Sequence, residues 1–148
     1  MTARANSFVL IYPEDWSPDN PDASATPIRY DQFVLQLFKA DTVPGMLNHA
    51  VMGVAGESGE LIDAIKKHTV YGKPLDRTNV IEELGDLRFY IQAMQNVLGI
   101  SESEILQHNC NKLSKRYRGL RYTDQAAIDR ADKAGPADKS MTPGSADR

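Results

Sequence analysis

Apolar residues recur at intervals of three and four along most of the chain, the spacing that lines one face of an α-helix. Tyr30, Phe33, Val34, Leu37 and Phe38 make the first such stripe, and Thr26-Pro27 predicts its start as a cap followed by a first-turn proline. Pro44-Gly45 closes that element and opens a second helix from about Met46 to His68. "TVYGKPLD" connects it to a third, from about Arg77 to Leu98, stopped by Gly99. Ser101 and Glu104 form a capping box and Ile100 can staple to Ile105, so a fourth helix runs through "ILQHNCNKLSKRY". "SFVLIY", Ser7 to Tyr12, is the one credible strand; lacking a second, it has to pack on helices or pair with another subunit. Ser17 to Pro27 reads as a loop, and Ala131 to Arg148, almost without large apolar residues, as a disordered tail. The pattern predicts an all-α fold, a four-helix bundle over residues 26–130, with an N-terminal arm and loop (1–25) and the tail (131–148).

Polar residues interrupt two of these stripes. With roughly 100° of rotation per residue, Glu57 lies beside Leu47, Ala50, Val54, Leu61 and Ile65. Glu60 lies at the edge of that arc, near Gly53 and His49. On the third helix Glu83 holds the same place among Val80, Leu84, Leu87, Ile91, Met94 and Leu98, and Asp86 takes the place of Glu60. Each helix therefore carries one acid within its apolar stripe and a second on the margin. An isolated carboxylate is costly to bury, and four converging ones add repulsion. A bound cation relieves both. Oxygen-only ligands favour hard ions, Mg²⁺ or Mn²⁺, over zinc. The di-iron alternative needs Glu-x-x-His, which neither pair supplies, and no calcium loop is present. Gly53, Gly56, Gly59 and Gly85 beside the acids predict that something approaches closely there, and tight helix packing is the alternative use for them. Carboxylate-bound Mg²⁺ meets phosphate oxygens, so lysines should line the mouth: Lys66 and Lys67 beyond Glu60, Lys73 in the connection, and Lys112 and Arg116 on the last helix. "GVAGESGE" is neither a P-loop nor a dinucleotide fingerprint.

Composition narrows the partners. A chain of 148 residues is most simply one domain, and a net charge of −3 without a basic face excludes nucleic acid as the expected partner. No stretch approaches the ~20 apolar residues of a membrane span. The N-terminus is too short in its apolar run and too acidic for a signal peptide. The single cysteine, Cys110, excludes an internal disulfide and fits a reducing, cytoplasmic setting, where it reads as a small core residue.

The stretch "HAVMGVAGESGELIDAIKKHTVYGKPLDRTNVIEELGDLRFYIQAM" resembles the MazG-like, all-α nucleoside triphosphate pyrophosphohydrolases. Their Glu-x-x-Glu followed by Glu-x-x-Asp is met by Glu57, Glu60, Glu83 and Asp86. "NCNKLSKRY" is similar to the family's downstream motif through Asn109, Lys112, Leu113, Arg116 and Tyr117. The resemblance covers roughly residues 49–130 and implies hydrolysis of a (deoxy)nucleoside triphosphate to monophosphate and pyrophosphate. It implies Mg²⁺ held by the four acids, with Glu57 and Glu60 catalytic and Glu60 favoured as base because water reaches the stripe's edge. Lys66, Lys73, Lys112 and Arg116 are then phosphate contacts, and His49 and Asn109 touch the base or sugar. A homo-oligomer, dimer or tetramer, is expected. The substrate is open: pool control including dGTP, a dUTPase-like enzyme and a phosphoribosyl-ATP pyrophosphatase share this chemistry, and a non-catalytic nucleotide- or protein-binding bundle is the reading from another class.

Overall fold

The computed structural model describes residues 9–11 and 27–133. The fold is all-α. Two short strands, β1 (Leu10–Ile11) and β2 (Ile28–Arg29), precede α1 (Tyr30–Leu37), α2 (Val43–Thr69), α3 (Arg77–Leu98) and α4 (Glu102–Arg116). A 3₁₀ turn at Arg118–Leu120 and a short α5 (Asp124–Asp129) follow. The described residues divide into two units, the first ending at Glu102 and the second beginning at Ser103. No helix among them is long and apolar enough to cross a membrane.

Two expected beginnings differ. Helix α1 starts at Tyr30, not at Pro27, because Ile28 and Arg29 are taken by antiparallel pairing with Ile11 and Leu10. The arm's strand thus finds its partner in its own chain, and the Tyr30 N–H donates to the Val9 carbonyl at 2.8 Å. Ser7, Phe8, Tyr12 and Thr26 lie outside the described residues. Helix α2 begins at Val43 with Pro44 inside its first turn, where a missing N–H leaves no bond unmade. Thr42 caps it, its hydroxyl accepting from the Gly45 N–H at 3.3 Å. Helix α1 also ends earlier than expected, at Leu37 and not at Pro44-Gly45, whereas α3 spans the expected Arg77–Leu98. Asp76 caps α3 by accepting from the Asn79 N–H at 3.1 Å, and Gly99 ends it in the left-handed conformation (φ 65°) that a residue without Cβ adopts freely.

In the first unit α2 and α3 run antiparallel: Glu60 meets Glu83, Gly53 meets Tyr90, and Ala50 meets Ala93, in reverse chain order. The core is small. Val34, Ala50 and Ala93 are buried together, with Tyr30, Phe33, Phe38, Phe89 and Met94 packed around them. α1 closes over this end of the hairpin, and the Asn96 amide fastens it by donating to the Asp31 carbonyl at 2.9 Å. Large apolar residues elsewhere on the hairpin stay exposed, Ile62 at 66% and Ile81 at 64%.

In the second unit α4 ends at Arg116, whose guanidinium makes a two-pronged pair with Asp132 at 2.6 and 2.9 Å. The Asp132 side chain is 1% exposed, and this partner holds its carboxyl down at about 2. Residues 131–133 thus form a turn, and 134–148 lie outside the described residues. The Tyr117 and Tyr122 rings meet tilted with centroids 5.5 Å apart, and Thr123 caps α5, its hydroxyl accepting from the Ala126 N–H at 3.1 Å.

Candidate metal centre and its cleft

Two helices carrying acids in the same register must present them to each other once they pack antiparallel. Glu57 and Glu60 on α2 and Glu83 on α3 do so: each offers an oxygen, and these oxygens all lie within 4.8 Å of one another. Glu83 is 7% exposed and Glu57 half-buried, whereas Glu60 and Asp86 are exposed. The stripe and its margin are therefore divided as the helical rotation predicts. Asp86, three residues beyond Glu83, is outside this three-oxygen group, yet its charge reaches both Glu57 and Glu83.

The electrostatics follow from that crowding. Burial first, then the neighbouring carboxylates Asp86 and Glu60, push Glu57 above its ordinary range, and a hydrogen bond with Glu83 offsets part of the rise. Burial, then Glu60, Glu57 and Asp86, push Glu83 up likewise. Among the described residues no Lys or Arg forms an ion pair with any of the three. An all-oxygen donor set, crowded and unneutralised, fits a hard divalent cation, which would remove both the repulsion and the desolvation cost.

The group opens onto a cleft of about 370 Å³ lined by Gly56, Gly59, Glu60, Asp63, Lys67, Asn79 and Glu83. Gly56 and Gly59 leave this wall bare, since a Cβ at either position would meet nothing within 4 Å. Gly85 is equally open, so the close approach expected at all four glycines is a helix contact at Gly53 alone, where a Cβ would fall within the Tyr90 ring. Lys67 projects to the cleft and pairs with Asp63 at 2.9 Å. Lys66 sits instead over the Tyr71 ring, 5.6 Å from its centroid. The seven-residue interval from Glu60, two helical turns, marks Lys67 as the one on the acid face, and Asn79, four before Glu83, is marked in the same way. Lys73 offers its carbonyl to His68 Nδ1 at 2.7 Å. His49 lies away from the acids, stacked on Phe38 with ring centroids 4.7 Å apart. Asn109, Lys112 and Arg116 belong to α4 in the second unit, and the roles expected of them rest on the resemblance.

Comparison with known proteins places this hairpin in context. The MazG nucleotide pyrophosphohydrolase domain matches residues 48–120, which include Glu57, Glu60, Glu83 and Asp86. The chain is also 33% identical over 85 residues to the "Gene 37 protein" of Mycobacterium phage L5, covering 54% of this chain and 74% of that one. No solved structure matches it. With the domain match spanning both acid-bearing helices, and a relative aligned over most of its length, the chain belongs to the MazG nucleotide pyrophosphohydrolase domain family.

Proposed function

We propose that the protein hydrolyses (deoxy)nucleoside triphosphates at the α-phosphate, releasing the monophosphate and pyrophosphate, in a reaction that depends on Mg²⁺ with Mn²⁺ as a substitute. The observation that carries this reading is the convergence of Glu57, Glu60 and Glu83 oxygens within 4.8 Å at an open cleft with a lysine on its wall. Mg²⁺ held by these three residues, with Asp86 beside them, would neutralise the phosphates and the charge that develops on the departing pyrophosphate. Glu57 and Glu83, more buried, hold and orient. Glu60, exposed at the mouth, takes the proton of the attacking water. Lys67 meets phosphate oxygens from the cleft wall, and Asn79 donates its amide beside it.

A panel of NTPs and dNTPs with Mg²⁺ should give pyrophosphate as the primary product; orthophosphate would sink attack at the α-phosphorus. Glu60→Gln should lower turnover by about 10²–10⁴-fold, the usual worth of a positioned acid or base, with unchanged helical circular dichroism.

The same reading includes a homo-oligomer, dimer or tetramer, in a reducing cytoplasm. Its support is the apolar surface left uncovered on α2 and α3, including Met52, Ile62, Ile81 and Leu84. Light scattering on the purified chain should return at least twice 16.4 kDa, and a monomer at micromolar concentration would oppose it.

A further inference from the structure

A second pocket, of about 210 Å³, lies at the other end of the α2 face, lined by Lys39, Asp41, Gly45, Met46 and His49. Its aromatic lining residue is His49, which rings from the end of α1 and from α3 hold in place. Phe38, the residue that ends α1, stacks on His49 at 4.7 Å, and Tyr90 stands edge-on to both rings at 5.8 and 6.5 Å. The imidazole is thus held flat at the pocket while remaining solvent-exposed.

The polar groups of this pocket are uncommitted where it matters. Asp41 Oδ1 accepts from the Thr42 N–H at 2.6 Å, which fixes the carboxylate. Its Oδ2 has no hydrogen-bond partner among the described residues, and Lys39 forms no ion pair there. Gly45 makes room for this carboxylate, since a Cβ on it would lie 2.6 Å from Oδ2.

His49, Gly53, Gly56 and Glu60 succeed one another at intervals of four, three and four, so they form one stripe along α2. Gly53, which the Tyr90 ring covers, and the bare Gly56 separate the pocket from the carboxylates, so the Tyr90 edge borders the way between them. From His49 to Glu57 the helix rises ~12 Å, the order of separation between a nucleobase and its phosphates.

We propose that this pocket is the base subsite of the nucleotide whose phosphates meet the carboxylates, and that Asp41 and Lys39 select guanine. The inference rests on the function proposed above. Guanine presents two adjacent N–H donors, N1 and the exocyclic N2, next to the acceptor O6. An ionised carboxylate only accepts and an ammonium only donates, so Asp41 takes the two donors and Lys39 the O6, in charge-assisted bonds stronger than neutral ones. Adenine, cytosine and thymine each turn at least one lone pair toward Asp41 in that pose, and the unmatched group is penalised. The base stacks on the His49 ring, which Phe38 backs.

The test is calorimetric titration of the full chain with GMP, AMP, CMP and UMP, beside steady-state rates on the four triphosphates. GMP should bind about 10- to 100-fold tighter than the others, the worth of one or two hydrogen bonds to charged groups. Asp41→Asn should erase that preference and gain xanthosine monophosphate, whose C2 carbonyl accepts from the new amide while Oδ1 stays on Thr42. Gly45→Ala should weaken the preference by displacing the carboxylate, and inorganic tripolyphosphate should bind wild type and Asp41→Asn alike. Equal binding of the four bases, or a guanine preference unchanged in Asp41→Asn, would overturn the proposal. Equal turnover of all four triphosphates overturns guanine selection and leaves the pyrophosphohydrolase reading standing. No turnover, together with GMP binding lost in Asp41→Asn, does the reverse.

Discussion

Glu83→Gln is expected to melt at a higher temperature than wild type in the absence of metal, while its Mg²⁺-dependent turnover falls by about 10²–10³-fold, the loss that follows removal of one electrostatic stabiliser. The two effects share a cause. Glu83 is buried against Glu57 and Glu60 without a cation of the chain to pair with it, so its charge opposes folding until a metal arrives. An amide of the same shape keeps the packing and removes the repulsion. The pH dependence follows the same sign. Glu57 and Glu83 have folded-state pKa values raised above the unfolded value, so the folded chain holds their protons more tightly. Their contribution to stability is fully present below the unfolded value, near 4.5, and is lost as pH rises through the raised folded values. Metal-free wild type should therefore gain stability on acidification from pH 7.5 to 5, and Glu83→Gln should flatten that gain. Added Mg²⁺ should raise the wild-type midpoint more at pH 7.5 than at pH 5, where protons compete for the same oxygens. A Glu83→Gln midpoint below wild type in EDTA would show that the acid supports the fold instead of straining it.

Gly53→Val is expected to destabilise the protein by ~1–3 kcal/mol or more, the range for overpacking a filled contact, out of the ~5–15 kcal/mol that a domain possesses. The added Cβ clashes with the Tyr90 ring, and three neighbouring rings crowd the half-buried Tyr90. Phe89 stands edge-on to it at 5.4 Å, with His49 at 5.8 Å and Phe38 at 6.5 Å around it. Gly56→Ala is the contrast. Nothing lies within 4 Å of the new methyl, so the helix gains up to ~1 kcal/mol from propensity alone. Urea denaturation of the pair should move the midpoints in opposite directions; a Gly53→Val midpoint at or above wild type would mean that the Tyr90 contact is not held in solution.

Much of the acid site was legible in the sequence because it depends on one rotation rule applied to two long helices. Glu57 and Glu83 inside the stripe, with Glu60 and Asp86 at its margin, follow from 3.6 residues per turn. The end of α3 also carried local chemistry that could be read directly, at Gly99. What escaped was set by contacts distant along the chain. Nothing near Thr26-Pro27 tells that Leu10 and Ile11 claim the next two residues as a strand. Four glycines in helices look alike as letters, and only the partner helix distinguishes Gly53, against Tyr90, from Gly56, against nothing. Lys39 and Asp41 follow α1 without periodicity, and they become part of a pocket because α1 folds back to bring Phe38 onto His49.

The buried apolar residues of α2 and α3 are alanines. Ala50 and Ala93 are enclosed together in the core, and Ala64 is buried on α2 one turn beyond Glu60. Methyl side chains let helix axes come near the lower end of the usual ~8–10 Å separation. These alanines therefore act as spacers for an opening that they do not line. Larger side chains at the same places would spread the facing carboxylates and suit a wider ion, so the calibre of the proposed metal centre is written in residues that never touch it.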